Sequence, residues 1–200
     1  AMIILLFTAF GLCQAFAQVV NLPPHSEALE RHPFYNKPVP AIKSNALTGA
    51  QVDLDSCSDK IILLHFWSLT CAACFKEIPE LNLIAEEYKA NDVVVISLMD
   101  DSIQALSKKI ELNGNYYRLK KPVFGNDLIN FEIIPRAKEI MLQYNSEQIP
   151  FGFPTTYFIK HGILKEFSFG YMQGYGNPKP GESKNYLHIR RILDDIISGN

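Results

Sequence analysis

Two continuous apolar runs dominate the hydrophobic pattern of the chain. Residues 61–67 read IILLHFW and residues 93–99 read VVVISLM. Runs of this length that are rich in β-branched residues are typical of strands buried on both faces of a sheet. Between the runs, Ile78, Leu81 and Ile84 recur at the spacing of one helix face. A strand, a helix and a strand in this order predict a crossover that joins two parallel strands.

Three further segments carry a helical pattern. Apolar residues at helical spacing follow the cap residues 100–102, and others recur from Tyr186 to Ile196 near the end of the chain. The segment 135–144 predicts a shorter helix with proline at its start. Residues 171–185 are rich in glycine and proline, so we predict a loop there.

A hairpin is predicted between the helical segment 135–144 and the C-terminal helix. Residues 155–160 and 163–169 are strand-like segments separated by His161 and Gly162, and a two-residue turn of this kind joins antiparallel strands. The order βαβ, α, ββα therefore predicts a single α/β domain with a mixed central sheet and helices on both faces.

The N-terminal region differs from the rest of the chain. Residues 1–17 are uncharged and largely apolar, and Ala15 and Ala17 fit a small-x-small cleavage site, so we predict a secretory signal peptide. An uncleaved membrane anchor is the alternative. Residues 18–40 contain five prolines and no sustained period, which predicts an extended spacer or a surface arm. The remaining residues, 41–200, form the predicted domain.

Composition and charge narrow the function classes. The 200 residues are 48% hydrophobic with a net charge of -2, which is an ordinary globular composition without the basic patch that nucleic acids require. Removing the predicted signal removes Cys13 and leaves three cysteines, an odd number that does not suit a disulfide-stapled scaffold. An exported protein with a vicinal cysteine pair is expected to be periplasmic or otherwise outside the cytosol.

The sequence WSLTCAACFKE carries the candidate chemistry, because Cys71 and Cys74 lie three positions apart. Such a pair can bind a metal, form a structural bridge or act as a redox switch. A zinc site needs about four ligands, and the histidines lack ligand spacing, so no metal is expected. A structural bridge over so short a loop removes little chain entropy and stabilises little.

The redox interpretation supplies a mechanism. Cys71 lies where the strand gives way to the helix, and backbone N–H groups and the helix dipole lower the pKa of a thiol there. Cys71 is therefore the predicted nucleophile, and Cys74, one turn further on, resolves the mixed disulfide. Trp67 and the strand beneath are expected to keep water from the site.

The segments LLHFWSLTCAACFKEIPEL and GFPTTYFIKHGILKEF together resemble the TlpA/ResA-like branch of the thioredoxin superfamily. The resemblance implies a thioredoxin-like fold, a redox-active Cys71–Cys74 disulfide and no bound cofactor. It also implies cysteine-containing envelope proteins as partners, for example in cytochrome c maturation, and a membrane thiol carrier as electron donor. A monomer is expected.

Residue roles follow from the same resemblance. Pro154 matches the family's cis-proline, whose bond turns the backbone of Phe153 toward a partner peptide; a trans turn is the alternative. Trp67 and Thr70 complete the predicted substrate-binding set, although Thr70 replaces the usual bulky aromatic residue. Glu77 matches an acidic residue near the second thiol and is predicted to exchange a proton with Cys74.

Several alternatives stay open at this point. Glu77 could instead be an exposed helix residue paired with surface cations. His65 lies where thioredoxins carry an aspartate, and it is either a proton buffer or a core histidine with one hydrogen bond. Cys57 is interpreted as a small buried or semi-exposed thiol, and a regulatory disulfide with a partner is the alternative.

The sequence favours an exported thiol:disulfide oxidoreductase that acts as a reductant. The rivals are a peroxiredoxin-type peroxidase and a redox-inactive or metal-carrying binding module. The arrangement Pro-x-x-x-Thr-x-x-Cys that a peroxidase requires is absent around Cys71.

Overall fold

The structure is a computed structural model that describes residues 25–113, 132–144, 152–172, 179 and 181–199. The predicted signal peptide (residues 1–17) and the first part of the predicted arm (residues 18–24) lie outside the described residues. No described helix is both long enough and apolar enough to cross a lipid bilayer.

The described residues form seven strands and five α-helices. The strands are β1 Lys43–Asn45, β2 Gln51–Asp53, β3 Ile61–Trp67, β4 Val93–Met99, β5 Glu132–Ile134, β6 Thr155–Lys160 and β7 Ile163–Phe169. The helices are α1 His25–Arg31, α2 Ala72–Glu87, α3 Ile103–Asn113, α4 Lys138–Tyr144 and α5 Lys184–Ser198.

Five of the strands form one sheet in the order β5-β4-β3-β6-β7. Strands β3, β4 and β5 are parallel neighbours, whereas β6 is antiparallel to β3 and β7 is antiparallel to β6. His161 and Gly162 make the β6–β7 turn with positive φ angles of 54° and 72°, as a tight hairpin requires. The predicted mixed sheet, its parallel β3–α2–β4 unit and its hairpin are therefore confirmed.

Helices cover both faces of this sheet, as predicted. The central strand β3 is buried along its whole length. Alternate residues such as Leu63 and Trp67 pack in the core beneath α2 and α5. Their neighbours Leu64 and Phe66 pack on the opposite face, against α4 and the N-terminal segment. Burial on both faces explains why β3 reads as a continuous apolar run and not as an alternating one.

Residues 25–40 depart from the prediction of a spacer or surface arm. They begin with helix α1, and Leu29 is buried in the core of one sheet face. Asn36 N–H donates to the Leu164 carbonyl at 2.9 Å, and Leu164 N–H donates to the Lys37 carbonyl at 3.2 Å. The segment therefore lies along the start of the edge strand β7 as part of the fold.

The buried side chain of His32 connects residues 25–40 to the sheet by hydrogen bonds. Its Nδ1 accepts the Phe34 N–H at 3.2 Å, and its Nε2 lies 2.9 Å from the Tyr157 hydroxyl. Because Nδ1 is an acceptor, the neutral imidazole carries its hydrogen on Nε2 and donates it to Tyr157. Burial lowers the pKa of His32 from 6.5 to about 4.

Candidate active site

Cys71 is positioned by the junction between β3 and α2. Strand β3 ends at Trp67, whose carbonyl accepts the Asp100 N–H at 3.0 Å. The carboxylate of Asp101 accepts the Leu69 N–H at 2.7 Å. Asp100 and Asp101 directly follow β4, the parallel neighbour of β3. They therefore fix the loop between β3 and α2, which places Cys71 at the start of the helix.

Cys71 and Cys74 form a disulfide with their Cα atoms 5.4 Å apart. Cys71 is the N-cap of α2, and its Sγ accepts the Cys74 N–H at 3.1 Å. Cys71 is half-buried, whereas Cys74 is fully buried at 0% exposure. Cys71 is thus the more accessible residue of the pair, and its sulfur faces the Cys74 N–H, a donor that stabilises a thiolate.

The Phe153–Pro154 peptide bond is cis, as the resemblance implied. The β3–β6 register pairs Phe66 with Thr155, so Pro154 lies beside the end of β3 that leads to the cysteines. Phe153 is half-buried and packs against the core cluster that contains Cys74. The contact of Phe153 and Pro154 with substrate stays a prediction.

The other two predicted substrate-binding residues differ in exposure. Trp67 is fully buried and packs edge-to-face on Phe75, with ring centroids 5.8 Å apart. The indole packs in the core in this conformation, and contact of Trp67 with substrate stays a prediction. Thr70 is exposed, and its hydroxyl lies 3.0 Å from that of Ser68, which leaves Thr70 available at the rim.

Glu77 is buried at 1% exposure, so the alternative of a surface glutamate is wrong. Its Oε2 lies 3.3 Å from Nε2 of the fully buried His65. The other ring nitrogen of His65, Nδ1, lies 3.2 Å from the Ser97 hydroxyl. His65 thus has the single hydrogen bond expected of a core histidine and, in addition, a carboxylate within ion-pair distance.

A row of polar residues crosses the sheet at this level. The strand registers place Ser97, His65, Thr156 and Ser168 side by side on β4, β3, β6 and β7. All four are buried. His65 lies between Leu63 and Trp67 in the alternation of β3, so the row belongs to the face covered by α2 and α5. Glu77 therefore contacts one member of this polar row, His65.

Three residues that the sequence did not single out complete this buried cluster. The Asn185 side-chain amide donates to Glu77 Oε1 at 3.3 Å and to Glu80 Oε2 at 3.0 Å. The Tyr171 hydroxyl donates to Glu80 Oε1 at 2.9 Å. Burial raises the pKa of Glu80, and burial together with the Glu80 contact raises the pKa of Tyr171 to about 12.

Nothing in the sequence pattern links Asn185 or Tyr171 to the site. Tyr171 and Asn185 are the two ends of the segment predicted as a loop, and Asn185 is more than 100 positions from Glu77. Glu80 does carry one local clue, because it lies one helical turn after Glu77 on the apolar side of α2.

Metal ligation finds no support in the part of the chain that is described. There, no three His, Cys, Asp or Glu side chains converge as a metal site would require. Cys57 is a free, half-buried thiol whose Sγ lies 3.8 Å from the Ser56 hydroxyl.

The fold and the placement of the cysteine pair define a thioredoxin-like protein. A thiol:disulfide interchange protein of the thioredoxin family from Chlorobium tepidum superposes with a TM-score of 0.56 at 15% identity, covering 80% of this chain and 95% of that one. The sequence model of the AhpC/TSA family matches residues 35–167, and the chain belongs to this family.

Sequence relatives narrow the resemblance. The thiol-disulfide oxidoreductase ResA of Bacillus anthracis is 28% identical over 117 residues, which are 58% of this chain and 61% of the relative. The chain thus matches about three fifths of the length of that relative. This likeness confirms the resemblance to the TlpA/ResA-like branch.

The same fold also serves peroxide chemistry. The mitochondrial 2-Cys peroxiredoxin of Plasmodium falciparum superposes with a TM-score of 0.55 at 20% identity, covering 82% of this chain and 94% of the peroxiredoxin. At this identity the similarity establishes the fold alone, and the residues of the site determine the chemistry.

Proposed function

We propose that this protein is an exported thiol:disulfide oxidoreductase that reduces disulfides in cysteine-containing envelope proteins. The observation that carries the proposal is the asymmetric pair, in which half-buried Cys71 caps a helix and is bonded to fully buried Cys74. An accessible sulfur beside backbone donors suits attack on a partner, and a shielded sulfur suits the closing step. The name of the ResA relatives supports the same chemistry.

The reaction has two exchange steps. The Cys71 thiolate attacks one sulfur of the partner disulfide, and the other partner sulfur leaves as a thiolate. The Cys74 thiol then loses its proton and its sulfur attacks Cys71. The mixed disulfide breaks, the second partner sulfur leaves with its electron pair, and the Cys71–Cys74 disulfide forms. The structure holds this oxidised form, which a thiol donor must reduce before another turnover.

The residues between the cysteines bear on the direction of electron transfer. Ala72 and Ala73 place no charged or aromatic side chain beside the thiols. Strongly oxidising relatives carry a histidine between the cysteines, which stabilises the thiolate and so favours the reduced state. This protein has no histidine there. This favours a reductant, and a membrane thiol carrier and apocytochrome c are the proposed donor and substrate class.

Serine substitutions test the proposal. With insulin as the protein disulfide, Cys71→Ser is expected to abolish reduction, whereas Cys74→Ser is expected to accumulate a mixed disulfide at Cys71. Cys57→Ser, which removes a thiol outside the pair, is the matched control and should keep the normal rate. Reduction at the normal rate by Cys71→Ser would refute the proposal. Mixed disulfides of Cys74→Ser isolated from cells would identify the physiological partner.

A peroxidase is the second candidate, and the AhpC/TSA family match is the observation that favours it. The residues around Cys71 oppose it, because Leu64 and Ser68 stand where the peroxidatic motif needs proline and threonine. Turnover of hydrogen peroxide with a thiol donor would distinguish the two activities. Metal analysis of the same preparation tests a metal-carrying binding module.

A further inference from the structure

A second buried carboxylate lies one helical turn beyond Glu77. Glu80 is 2% exposed, and its two oxygens accept hydrogen bonds from different elements. Oε1 accepts from Tyr171 in the segment after β7, and Oε2 accepts from Asn185 in α5. Burying a carboxylate costs free energy even with such partners, and neither exchange step described above uses Glu80.

Asn185 joins the two carboxylates directly. Its Oδ1 accepts the backbone N–H of Met172 at 3.3 Å, which fixes the orientation of the amide. The Nδ2 group then directs its hydrogens to Glu77 Oε1 and Glu80 Oε2. One fully buried amide therefore bridges two buried carboxylates. A change of charge on one carboxylate alters the electrostatic energy of the other.

The titratable groups around this pair come from two other elements. His65 of β3 faces Glu77 at 3.3 Å, and Tyr171 donates to Glu80. Burial is the largest cause that raises the pKa of Glu80, and the negative charge of Glu77 acts in the same direction. A negative charge on Glu77 therefore favours the protonated form of Glu80.

We propose that Glu80 is a second proton-holding carboxylate of the disulfide site, coupled to Glu77 through the side-chain amide of Asn185. The inference rests on the proposed function. In the closing step, the Cys74 proton passes to the carboxylate pair as the Cys74 sulfur attacks Cys71. Glu80 acts through Glu77 and is a positioning residue, which sets the pH at which the pair accepts that proton. Half-buried Tyr171 marks the side of the cluster nearer to solvent.

The closing step can be isolated with glutathione disulfide as the probe. Reduced protein is mixed with the probe, and acid-quenched samples are analysed by mass spectrometry for the lifetime of glutathionylated Cys71 between about pH 5 and pH 9. For Glu80→Gln we expect the rate profile to move to lower pH by about one unit or more, because removing a nearby negative charge favours loss of the Cys74 proton. Glu86→Gln, an exposed change on the same helix, should match the wild type.

Tyr171→Phe provides a second variant. It removes a donor to the ionised form of Glu80, so Glu80 stays neutral to higher pH and the profile should move in the same direction by a smaller amount. If Glu80→Gln loses its far-ultraviolet circular dichroism, the Tyr171→Phe profile decides. Profiles that coincide with that of Glu86→Gln overturn the inference alone. A wild-type protein that forms no internal disulfide with the probe refutes the proposed function and the inference together.

Discussion

The imidazole of His65 and the carboxylate of Glu77 face each other at 3.3 Å in the interior of the protein. His65 lies on the central strand β3, and Glu77 lies on the helix that carries both cysteines. The contact therefore ties the redox helix to the middle of the sheet. Because both side chains are buried, the loss of either partner leaves the other without its counterpart in a medium that solvates charge poorly.

We expect His65→Leu to lower the free energy of unfolding by about 3 kcal/mol or more, since it places an apolar side chain against the buried Oε2 of Glu77. The double variant His65→Leu/Glu77→Leu should recover part of that loss. Urea unfolding of the oxidised proteins at pH 7 measures both values, with Glu86→Gln as a surface control within about 0.5 kcal/mol of the wild type. Strictly additive costs would show that the two residues do not interact.

The reactivity of Cys71 offers a direct test of its helix-capping position. In Cys57→Ser/Cys74→Ser protein, alkylation of Cys71 is expected to have a midpoint at least about one pH unit below the 8.5 of free cysteine. The reason is that the sulfur faces the Cys74 N–H and the start of α2. Iodoacetamide kinetics with peptide mapping give the midpoint. A midpoint near 8.5 would remove the physical basis for Cys71 as nucleophile.

The buried imidazole of His32 predicts a loss of stability in acid. Its pKa falls from 6.5 to about 4 on folding, so the unfolded chain binds the proton more tightly between these two values. The stabilisation is complete above about pH 6.5 and declines as the pH falls towards 4, by roughly 3 kcal/mol in all.

His32→Gln removes this titration and is the variant to compare. Urea unfolding at pH 7 and pH 4.5 should show a smaller difference between the two pH values for His32→Gln than for the wild type. Equal differences would mean that His32 does not titrate in this range.

Glu80 predicts a pH dependence of the opposite sign. Its pKa is raised in the folded protein, so the folded state keeps the proton to higher pH than the unfolded chain does. Its contribution to stability is complete below the unfolded value and is lost as the pH rises through the folded value. The stability of the wild type relative to Glu80→Gln should therefore decrease from pH 4 to pH 8 in urea unfolding, and an increase would contradict the sign.

The central elements were predictable because their sequence patterns are long and unmixed. Strands β3 and β4 and helix α2 follow from two apolar runs and a helical spacing, and their order implies the parallel crossover. Strand β5 has three residues, too few for a period to show. Helix α1 has seven residues in a proline-containing segment, and its burial depends on tertiary contacts with the sheet that no local pattern records.

The same distinction holds at the site. The spacing of Cys71 and Cys74 is a local feature of the chain and predicted a redox-active pair, whereas the cis bond at Pro154 was implied by the resemblance to the TlpA/ResA-like branch. The burial of Glu77 and its contacts with His65 and Asn185 arise where a strand, a helix and the C-terminal helix meet. Such convergence depends on how elements pack, so the sequence could name Glu77 without deciding between an exposed and a buried carboxylate.

The backbone hydrogen bonds that join Leu164 to Asn36 and Lys37 have a consequence for handling the protein. They pair backbone N–H and C=O groups at the start of β7, which would otherwise be unpaired at the edge of the sheet. Unpaired strands of this kind recruit other chains and lead to aggregation. A chain trimmed to residue 41 would lose this cover, so its poor solubility would reflect an exposed strand and not a failure of the cysteine chemistry.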